Sequence, residues 1–388
     1  MTARSARPGA DGVPAPHRPR RAGDMAACDV CLRRTALVAM LAPHIEHARR
    51  HRRHISELLA LTDVDLVSAL AGERRDDIRR ALEAFDPDLA RDRAARAALH
   101  VCCRHDETYP PRLAQTADAP AMLHIAGDDE RLARLYADDE PAVAIVGARR
   151  AGADGIEVAR GLGRGLAAAG VTVISGMALG IDSAAHAGAL EVGGPTLAVL
   201  ASGADVPYPP SKRGLYRAIV QTQAAVSEMP PGFQPYRWCF PARNRTIAGL
   251  ATLTIVVEAT ERSGSLITAE FAQDLGRAVG AVPGPVGAPR AAGSNALLRD
   301  GGLVIRHAQD ALDEVVGVGV ATALTRRGSA DLDDELRSLL ECVENGADTV
   351  GELASTPSQA RAVMAGLAEL ELLGLLRRGP GGRYVRRT

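Results

Sequence analysis

A repeated alternation of short apolar segments and helical segments, beginning at Pro141, constrains the fold of this chain more than any other feature. The apolar cores read AVAIVG, VTVIS, TLAVL, AAVSE, TLTIVVEA and GAVPG, and helical segments such as GIEVARGLGRGLAAAG lie between them. These cores are mostly continuous apolar runs, which is typical of strands that helices cover on both faces. The pattern therefore predicts an α/β fold with a doubly wound, mainly parallel, Rossmann-like sheet.

Other segments flank this predicted sheet. The patterns predict a disordered Arg/Pro-rich arm at 1–34, a small helical domain at 35–97, the extended Rossmann-like domain at 98–316, a linker at 317–330 and a winged-helix module at 331–388. The arm is rich in Arg, Pro, Gly and Ala, so it cannot bury enough apolar surface to order itself. The last segment reads as three helices and a glycine-rich hairpin, and a plain three-helix appendage is the alternative.

Composition limits how the chain can bind an anion and where it resides. The 388 residues carry a formal net charge of −1, so anion binding must come from local clusters of basic side chains. No apolar run reaches the roughly 18 residues of a membrane span. The first residues also lack the apolar core of a secretory signal. We therefore expect a cytoplasmic protein without a membrane partner.

The cysteines raise the question of a metal site. The segment CDVC, with Cys28 and Cys31, has the spacing of half a zinc site. The nearest residues that could complete it are Cys102 and Cys103, or the helically spaced His44, His47, His51 and His54. We expect reduced thiols, no disulfide framework, and a solvated basic helix face for the histidines. Cys28 and Cys31 are thus weak candidates, and we expect no bound metal.

Turns rich in small residues follow several of the predicted strands. They are GARR at 147–150, SGMALGID at 175–182, ASGADVPYP at 201–209 and ERSGSLITA at 261–269. Ligands of open α/β sheets bind outside the carboxyl ends of the strands, so we expect these turns at one rim. Glycine lets backbone N–H groups approach an anion closely, and each turn leads into the positive end of a helix. The rim is therefore predicted to form an anion-binding groove.

The segment PYRWCFPARNR at 235–245 combines basic and aromatic residues without any acidic residue. It holds Arg237, Arg243 and Arg245 together with three aromatic residues, in a chain that is only 3% aromatic. Guanidinium groups beside aromatic faces are the combination that single-strand nucleic-acid binders use. The alternative is that Trp238 and Phe240 belong to the core and that the arginines cap the carboxyl ends of helices.

Sequence signals for nucleotide-dependent enzymes are weak. Gly147, Gly152 and Gly155 are spaced too widely for G-x-G-x-x-G. Ser175 and Gly176 stand where a dinucleotide-binding protein carries its acidic residue. A Walker lysine loop is also absent from the sequence.

A hydrolytic triad of Ser175, Asp182 and His186 is the catalytic alternative. Asp182 and His186 stand four residues apart on one predicted helix, so their side chains can meet. However, the sequence has no G-x-S-x-G elbow, and one helical turn aligns a triad poorly. We expect that Asp182 caps the helix, that His186 packs or bonds locally, and that no residue is catalytic.

Residues 141–315 resemble the DprA/Smf family of bacterial DNA-processing proteins. The resemblance lies in VAIVGARRAGADG, ISGMALGIDSAAHAGALEVGGPTLAVLASGADVPYPPSKRGLY, SEMPPGFQP, FPARNRTIAGLATLTIVVEATERSGSLITAEFAQDLGRAVGAVPGPV and GSNALLRDGG. The flanks agree, because the family commonly has a helical, SAM-like N-terminal domain and often a C-terminal winged helix. One departure is Leu179, where family members often carry an arginine.

The resemblance implies a non-catalytic protein without a cofactor that binds single-stranded DNA. It also implies a homodimer that helps to load RecA recombinase onto DNA during natural transformation and recombination. The residues implied to contact DNA are Arg149, Ser175, Gly176, Gly180, Arg237, Phe240, Arg243, Asn244, Arg245, Ser263, Gly264, Ser265 and Thr268.

Two other functions stay open at this point. A Rossmann-type enzyme or sensor for small nucleotides, similar to phosphoribohydrolases, would carry PGGxGTxxE, whereas ERSGSLITAE lacks its paired glycines and its Gly-Thr. A winged-helix regulator with a ligand-sensing core would bind duplex DNA sequence-specifically. The predicted wing RRGPGGRYVRR could contact phosphates or a protein partner.

Overall fold

The computed structural model describes residues 27–49, 55–127, 140–318, 334–354, 356–372, 375–379 and 383–386. The N-terminal helices in these ranges are α1 (Asp29–Met40), α2 (Ala42–Arg49), α3 (Ile55–Ala60), α4 (Asp63–Leu70), α5 (Arg75–Glu83) and α6 (Pro87–Arg96). No helix in the described ranges is long and apolar enough to span a membrane.

The predicted boundary of the arm is wrong at its C-terminal end. Residues 29–34 are helical, and Cys31 and Leu32 are buried within α1. These two apolar side chains give the start of α1 a face to bury, which the surrounding Arg-rich composition masks at the sequence level. Residues 1–26 of the predicted arm lie outside the described residues.

The middle of the chain supplies the main sheet and its covering helices. The strands are β1 (His100–Cys103), β2 (Met122–Gly127), β3 (Ala142–Val146), β4 (Thr172–Ser175), β5 (Thr196–Leu200), β6 (Ala224–Ser227), β7 (Leu253–Val256), β8 (Ala278–Ala281) and β9 (Leu303–Val304). The helices are α7 (Pro111–Ala114), α8 (Ala153–Ala168), α9 (Ile181–Glu191), α10 (Arg213–Thr222), α11 (Cys239–Leu250), α12 (Gly264–Asp274), α13 (Ala292–Arg299) and α14 (Ala308–Val315).

The sheet is mainly parallel, as predicted. Its order among the described residues is β1-β2-β6-β5-β4-β3-β7-β8-β9. Strands β1 and β2 pair antiparallel with each other, β2 pairs antiparallel with β6, and the neighbours from β6 to β9 pair parallel. From β3 the chain first builds outward through β4, β5 and β6, and then crosses to the other side of β3 for β7. This reversal creates a crevice at the carboxyl end of β3, which is where open α/β sheets bind ligands.

Helices cover both faces of the sheet, as the continuous apolar strand cores predict. Every residue of β3 is buried, and its residues alternate between two apolar clusters. Ala144 packs in one cluster with residues of α11 and α12, such as Ile247. Ile145 packs in the other with residues of α8 and α9, such as Leu162. This burial on both faces fixes where the loops at the end of β3 emerge.

The N-terminal helices pack against α11 and the residues just before it. The Trp238 ring is fully buried among residues of α1, α2 and α4, including Leu37 and Leu66. Its indole Nε1–H donates to the carbonyl of Ala42 at 3.0 Å, and its backbone N–H donates to Glu46 Oε2 at 3.0 Å. Trp238 is therefore a core residue, as the alternative interpretation of the 235–245 segment proposed.

The C-terminal segment has its own small core. It comprises α15 (Asp334–Glu344), α16 (Val350–Leu353), α17 (Pro357–Leu372) and the antiparallel strands β10 (Leu376–Arg378) and β11 (Tyr384–Arg386). Leu340, Leu367, Leu376 and Tyr384 are buried together. The order of three helices and a hairpin is the predicted one, whereas the assignments as a winged helix and as a SAM-like domain at 35–97 stay predictions. Residues 319–333, most of the predicted linker, lie outside the described residues.

Candidate nucleic-acid interface

An open cavity of about 320 Å³ lies at the carboxyl end of β3, in the crevice made by the reversal of strand order. Its walls come from the loops after β3 and β4 and from the N-terminal halves of α11 and α12. The lining residues are Val146, Gly147, Arg149, Ala178, Asp182, Phe240, Pro241, Arg243, Asn244, Ser263, Gly264, Ser265, Ile267 and Thr268. The structure thus brings three of the predicted rim turns together, those at 147–150, 175–182 and 261–269.

Arg149 and Phe240 form an exposed basic-aromatic pair at the mouth of the cavity. Arg149 is exposed, and its Cζ lies 4.9 Å from the centroid of the half-buried Phe240 ring. The ring of Tyr208, which is 38% exposed, lies 5.6 Å from the Phe240 ring between centroids. A cation and two aromatic rings in a row offer flat faces and a positive charge on one surface.

The N-terminus of α12 contributes uncharged donors to the same cavity. Ser263 is the N-cap residue, and its Oγ accepts a hydrogen bond from the backbone N–H of Ser265. Asn244 Nδ2 donates to the carbonyl of Gly264 at 3.1 Å and so ties this turn to α11. Thr268 is buried, and its Oγ1 has no hydrogen-bond partner among the described residues. These bonds order the turn at the positively polarised N-terminus of α12, and such a helix end suits an anion.

Arg243 forms the floor of the cavity and binds the loop after β4 from below. The guanidinium is buried, and its Nη1 donates to the carbonyls of Gly176 at 2.5 Å and Val199 at 2.8 Å. Burial lowers the pKa of Arg243 to about 10, and the nearby Asp182 opposes that shift. The group therefore keeps its positive charge at neutral pH and adds to the field at the rim.

Asp182 holds the loop after β4 from the other side. Its Oδ2 accepts hydrogen bonds from the backbone N–H groups of Gly176 at 3.1 Å and Ala178 at 3.4 Å. Burial raises the pKa of Asp182, whereas the Arg243 charge and these backbone donors lower it. The predicted helix-capping role thus takes the form of a carboxylate that closes the turn before α9.

Two further predicted residues have backbone roles in this turn. Gly180 has a φ of +79°, and a Cβ atom there would lie 2.2 Å from the carbonyl oxygen of Ala148. Glycine is required because the loops after β3 and β4 touch at this point. Ser175 is buried, and its Oγ donates to the carbonyl of Ile145 at 2.6 Å. Neither Gly180 nor Ser175 lines the cavity.

Arg245 and Arg237 lie away from the cavity. Arg245 is 5% exposed and forms an ion pair with Glu228, while its Nε lies 3.6 Å from Asp118 Oδ2. Burial raises the pKa of Glu228, and the Arg245 charge opposes this shift. Arg237 is exposed next to the buried Trp238. Arg245 is thus a structural arginine in this fold, and Arg237 lies on the surface beyond the cavity.

The hydrolytic triad is not assembled, because each of its side chains bonds to a different group. Asp182 accepts from backbone N–H groups, and Ser175 donates to a backbone carbonyl. His186 Nδ1 lies 2.7 Å from Thr196 Oγ1, and burial lowers the pKa of His186 to about 4. A buried, locally bonded histidine agrees with the prediction that His186 has a packing role.

Comparison with known proteins identifies the family. The model of the family described as DNA recombination-mediator protein A matches residues 100–316. This chain belongs to the DNA recombination-mediator protein A family.

Curated relatives and a solved structure agree with this assignment. The putative DNA processing protein DprA of Mycobacterium tuberculosis is 42% identical over 248 residues, which span 63% of this chain and 64% of that relative. Protein Smf of Escherichia coli is 36% identical over 297 residues, covering 74% of this chain and 77% of the relative. The X-ray structure of DNA processing protein A from Streptococcus pneumoniae is 31% identical with a TM-score of 0.59, and the match covers 74% of this chain and 96% of that one.

Sequence reasoning missed one residue at the rim of this recombination-mediator family member. The Tyr208 ring packs at a tilt beside the Phe240 ring, although it comes from a different loop, the one after β5. The available signal was an aromatic residue within a predicted rim turn of a chain that is 3% aromatic.

The close packing of Arg243 against Gly176 at the bottom of the cavity can be tested by substitution. A Cβ atom at Gly176 would lie 1.8 Å from Arg243 Nη1, which its two carbonyl partners hold in place. We expect Gly176→Ala to lower the free energy of unfolding by about 1–3 kcal/mol, as overpacking does. Urea unfolding of the purified variant measures this change.

Gly264→Ala is the matched control for this experiment. A Cβ atom there meets no atom within 4 Å, so its unfolding free energy should stay within about 0.5 kcal/mol of the wild-type value. Equal unfolding midpoints for Gly176→Ala and the wild type would contradict the described floor.

Proposed function

We propose that this protein binds single-stranded DNA at the cavity rim and acts as a mediator of homologous recombination. The observation that carries the proposal is the exposed Arg149 stacked over Phe240, beside the N-terminus of α12. This arrangement combines a stacking surface for bases with donors for phosphate oxygens, as single-strand binding surfaces do.

The exposed rings favour a single strand over a duplex. In duplex DNA both faces of each base are stacked on neighbouring bases, so a protein ring can stack only on a base that has left the helix. Phe240 lines the cavity, and the exposed Tyr208 ring lies next to it, so that successive unpaired bases could contact the two rings. Sequence-tolerant binding follows, because every base has a π-face.

The predicted DNA-binding residues divide into contact and support roles in this proposal. Contacts with the strand come from residues on the rim and the adjoining surface, namely Arg149, Arg237, Phe240, Asn244, Ser263, Gly264, Ser265 and Thr268. Support comes from residues that fix the loops or the floor, namely Ser175, Gly176, Gly180, Arg243 and Arg245. Arg243 has both roles in this proposal. It supports the loop after β4, and its positive charge at the bottom of the cavity also attracts phosphate.

Membership of the DNA recombination-mediator protein A family supports the wider role. We extend the proposal to a non-catalytic, cytoplasmic homodimer that helps to load RecA recombinase onto single strands during natural transformation. The three separate partners of Ser175, Asp182 and His186 support the non-catalytic part of this proposal, since they leave no assembled hydrolytic triad at the rim.

The first prediction concerns the basic-aromatic pair. Phe240→Leu keeps apolar volume but removes the ring, and Arg149→Gln removes the charge that stacks on it. We expect each change to weaken binding of a fluorescent thymidine oligonucleotide by about 1–3 kcal/mol, or roughly 5- to 150-fold, which is the range for loss of base stacking. Fluorescence anisotropy with the full chain measures the affinity.

Arg79→Gln serves as the matched control, because Arg79 is an exposed arginine on α5, in the N-terminal helices. Its affinity should equal that of the wild type. Unchanged binding by folded Arg149→Gln and Phe240→Leu proteins would overturn the placement of the interface. If a mononucleotide displaced the labelled oligonucleotide as effectively as an unlabelled oligonucleotide does, the small-nucleotide alternative would be favoured instead.

A second prediction uses the departure at Leu179. This side chain is 43% exposed on the turn between β4 and α9, where the family often carries arginine. We expect Leu179→Arg to strengthen binding at low salt and to steepen the salt dependence, since each phosphate neutralised on a single strand adds about 0.7 to the slope of log K against log salt. Leu179→Gln, which has a polar side chain without the charge, should leave the slope unchanged. Identical slopes for both variants would place this turn away from the phosphates.

A further inference from the structure

Three thiols and an imidazole, from two segments that are distant in sequence, meet at the edge of the main sheet. The donor atoms of Cys28, Cys31, Cys103 and His105 all lie within 4.8 Å of one another. His105 Nδ1 is 3.3 Å from Cys28 Sγ and 3.2 Å from Cys31 Sγ. The cluster thus joins the start of α1 to the end of β1 across more than seventy residues of sequence.

Local backbone structure holds each half of this cluster. Cys28 is the N-cap residue of α1 and Cys31 lies in its first turn, so the two sulfurs share one helix end. Cys103 ends β1, and its backbone N–H donates to Asp106 Oδ2 at 2.7 Å. The backbone N–H of Asp106 donates in turn to the Cys103 carbonyl at 2.8 Å, which closes the turn that carries His105.

The dimensions match those of a tetrahedral zinc site. Bond lengths of about 2.3 Å to sulfur and about 2.0 Å to nitrogen require donor atoms roughly 3.5–3.8 Å apart at tetrahedral angles. The measured sulfur–nitrogen distances of 3.2 and 3.3 Å and the overall spread of 4.8 Å bracket this range. Three sulfurs and one imidazole nitrogen form a donor set typical of structural zinc.

The surroundings also suit a closed, structural site. Cys31 and Cys103 are buried, Cys28 is half-buried, and His105 lies at the exposed edge. Around the cluster, Ala27 and Leu32 of the N-terminal segment pack against Val101 and Met122 of the sheet.

We propose that Cys28, Cys31, Cys103 and His105 bind one structural Zn²⁺ ion that fastens α1 to the β1–β2 edge of the sheet. This assignment replaces our expectation of no metal. The residues that complete the Cys28–Cys31 pair are Cys103 and His105, and not Cys102 or the histidines of α2. His51 and His54 of the earlier candidate set lie outside the described residues. Because the N-terminal helices also bury Trp238 at the start of α11, the ion would brace the side of the fold that supports the rim.

The test is the metal content of the full chain. After purification under reducing conditions with zinc in the medium and dialysis, elemental analysis should find about one zinc ion per chain, as four ligands bind one ion. Replacement of the zinc by Co²⁺ should produce the thiolate-to-cobalt charge-transfer and d–d absorption bands of a tetrahedral site with sulfur ligands. Both readouts are independent of DNA binding.

Variants identify the ligands. Cys103→Ser should lose most of the bound zinc, and His105→Ala, at an exposed position that the core does not need, should release zinc to a chromophoric chelator at least tenfold more readily. Cys102→Ser is the matched control, because Cys102 is the neighbouring residue of β1 and packs in the apolar cluster on the opposite face. Cys342→Ser, at an exposed cysteine of α15, controls for binding by surface thiols.

Three outcomes would overturn the assignment. The first is wild-type protein that stays free of metal after reduction and incubation with Zn²⁺. The second is a disulfide between two of the three cysteines, found by mass spectrometry of the protein isolated without reductant. The third is equal zinc content in Cys103→Ser, His105→Ala and the wild type, which would mean that the metal binds elsewhere.

Discussion

The buried guanidinium of Arg243 is the interaction on which the rim depends. It binds the carbonyls of Gly176 and Val199, which follow or end two neighbouring strands, while Asp182 holds the backbone N–H groups of the same loop. A buried charge is costly unless it is compensated, and here the two carbonyls and the nearby Asp182 carboxylate compensate it. The loop after β4 is thereby tied to strand β5 from below. Only glycine at position 176 leaves room for the guanidinium.

This arrangement separates support from contact. Charged groups that the fold needs, such as Arg243 and Arg245, are buried and bind carbonyl or carboxylate partners. Arg149 instead stays exposed, and its stacking on Phe240 presents it to solvent in a defined position. The chain has almost no net charge, so this local arrangement, and not a global field, accounts for the proposed affinity for phosphate.

The sheet and the position of the cavity were predictable because they follow from local patterns. Continuous apolar runs predict strands covered on both faces, and the glycine-rich turns after them must meet where the strand order reverses. The burial of Arg245 was not predictable, because its partners Glu228 and Asp118 are distant in sequence. The same reason hid His105 as a partner of Cys28, whereas Cys103 was among the candidates that the sequence offered. Composition masked the start of α1, since arginines surround its few apolar residues.

The central claim is that an unpaired strand lies across the row formed by Arg149, Phe240 and Tyr208. Photocrosslinking of a thymidine oligonucleotide to the wild-type protein, followed by mass spectrometric mapping, tests it most directly. The account predicts attachment at Phe240 or Tyr208, suppressed by an unlabelled single strand but not by a duplex of equal length. Attachment confined to the C-terminal hairpin, or equal suppression by the duplex, would contradict it.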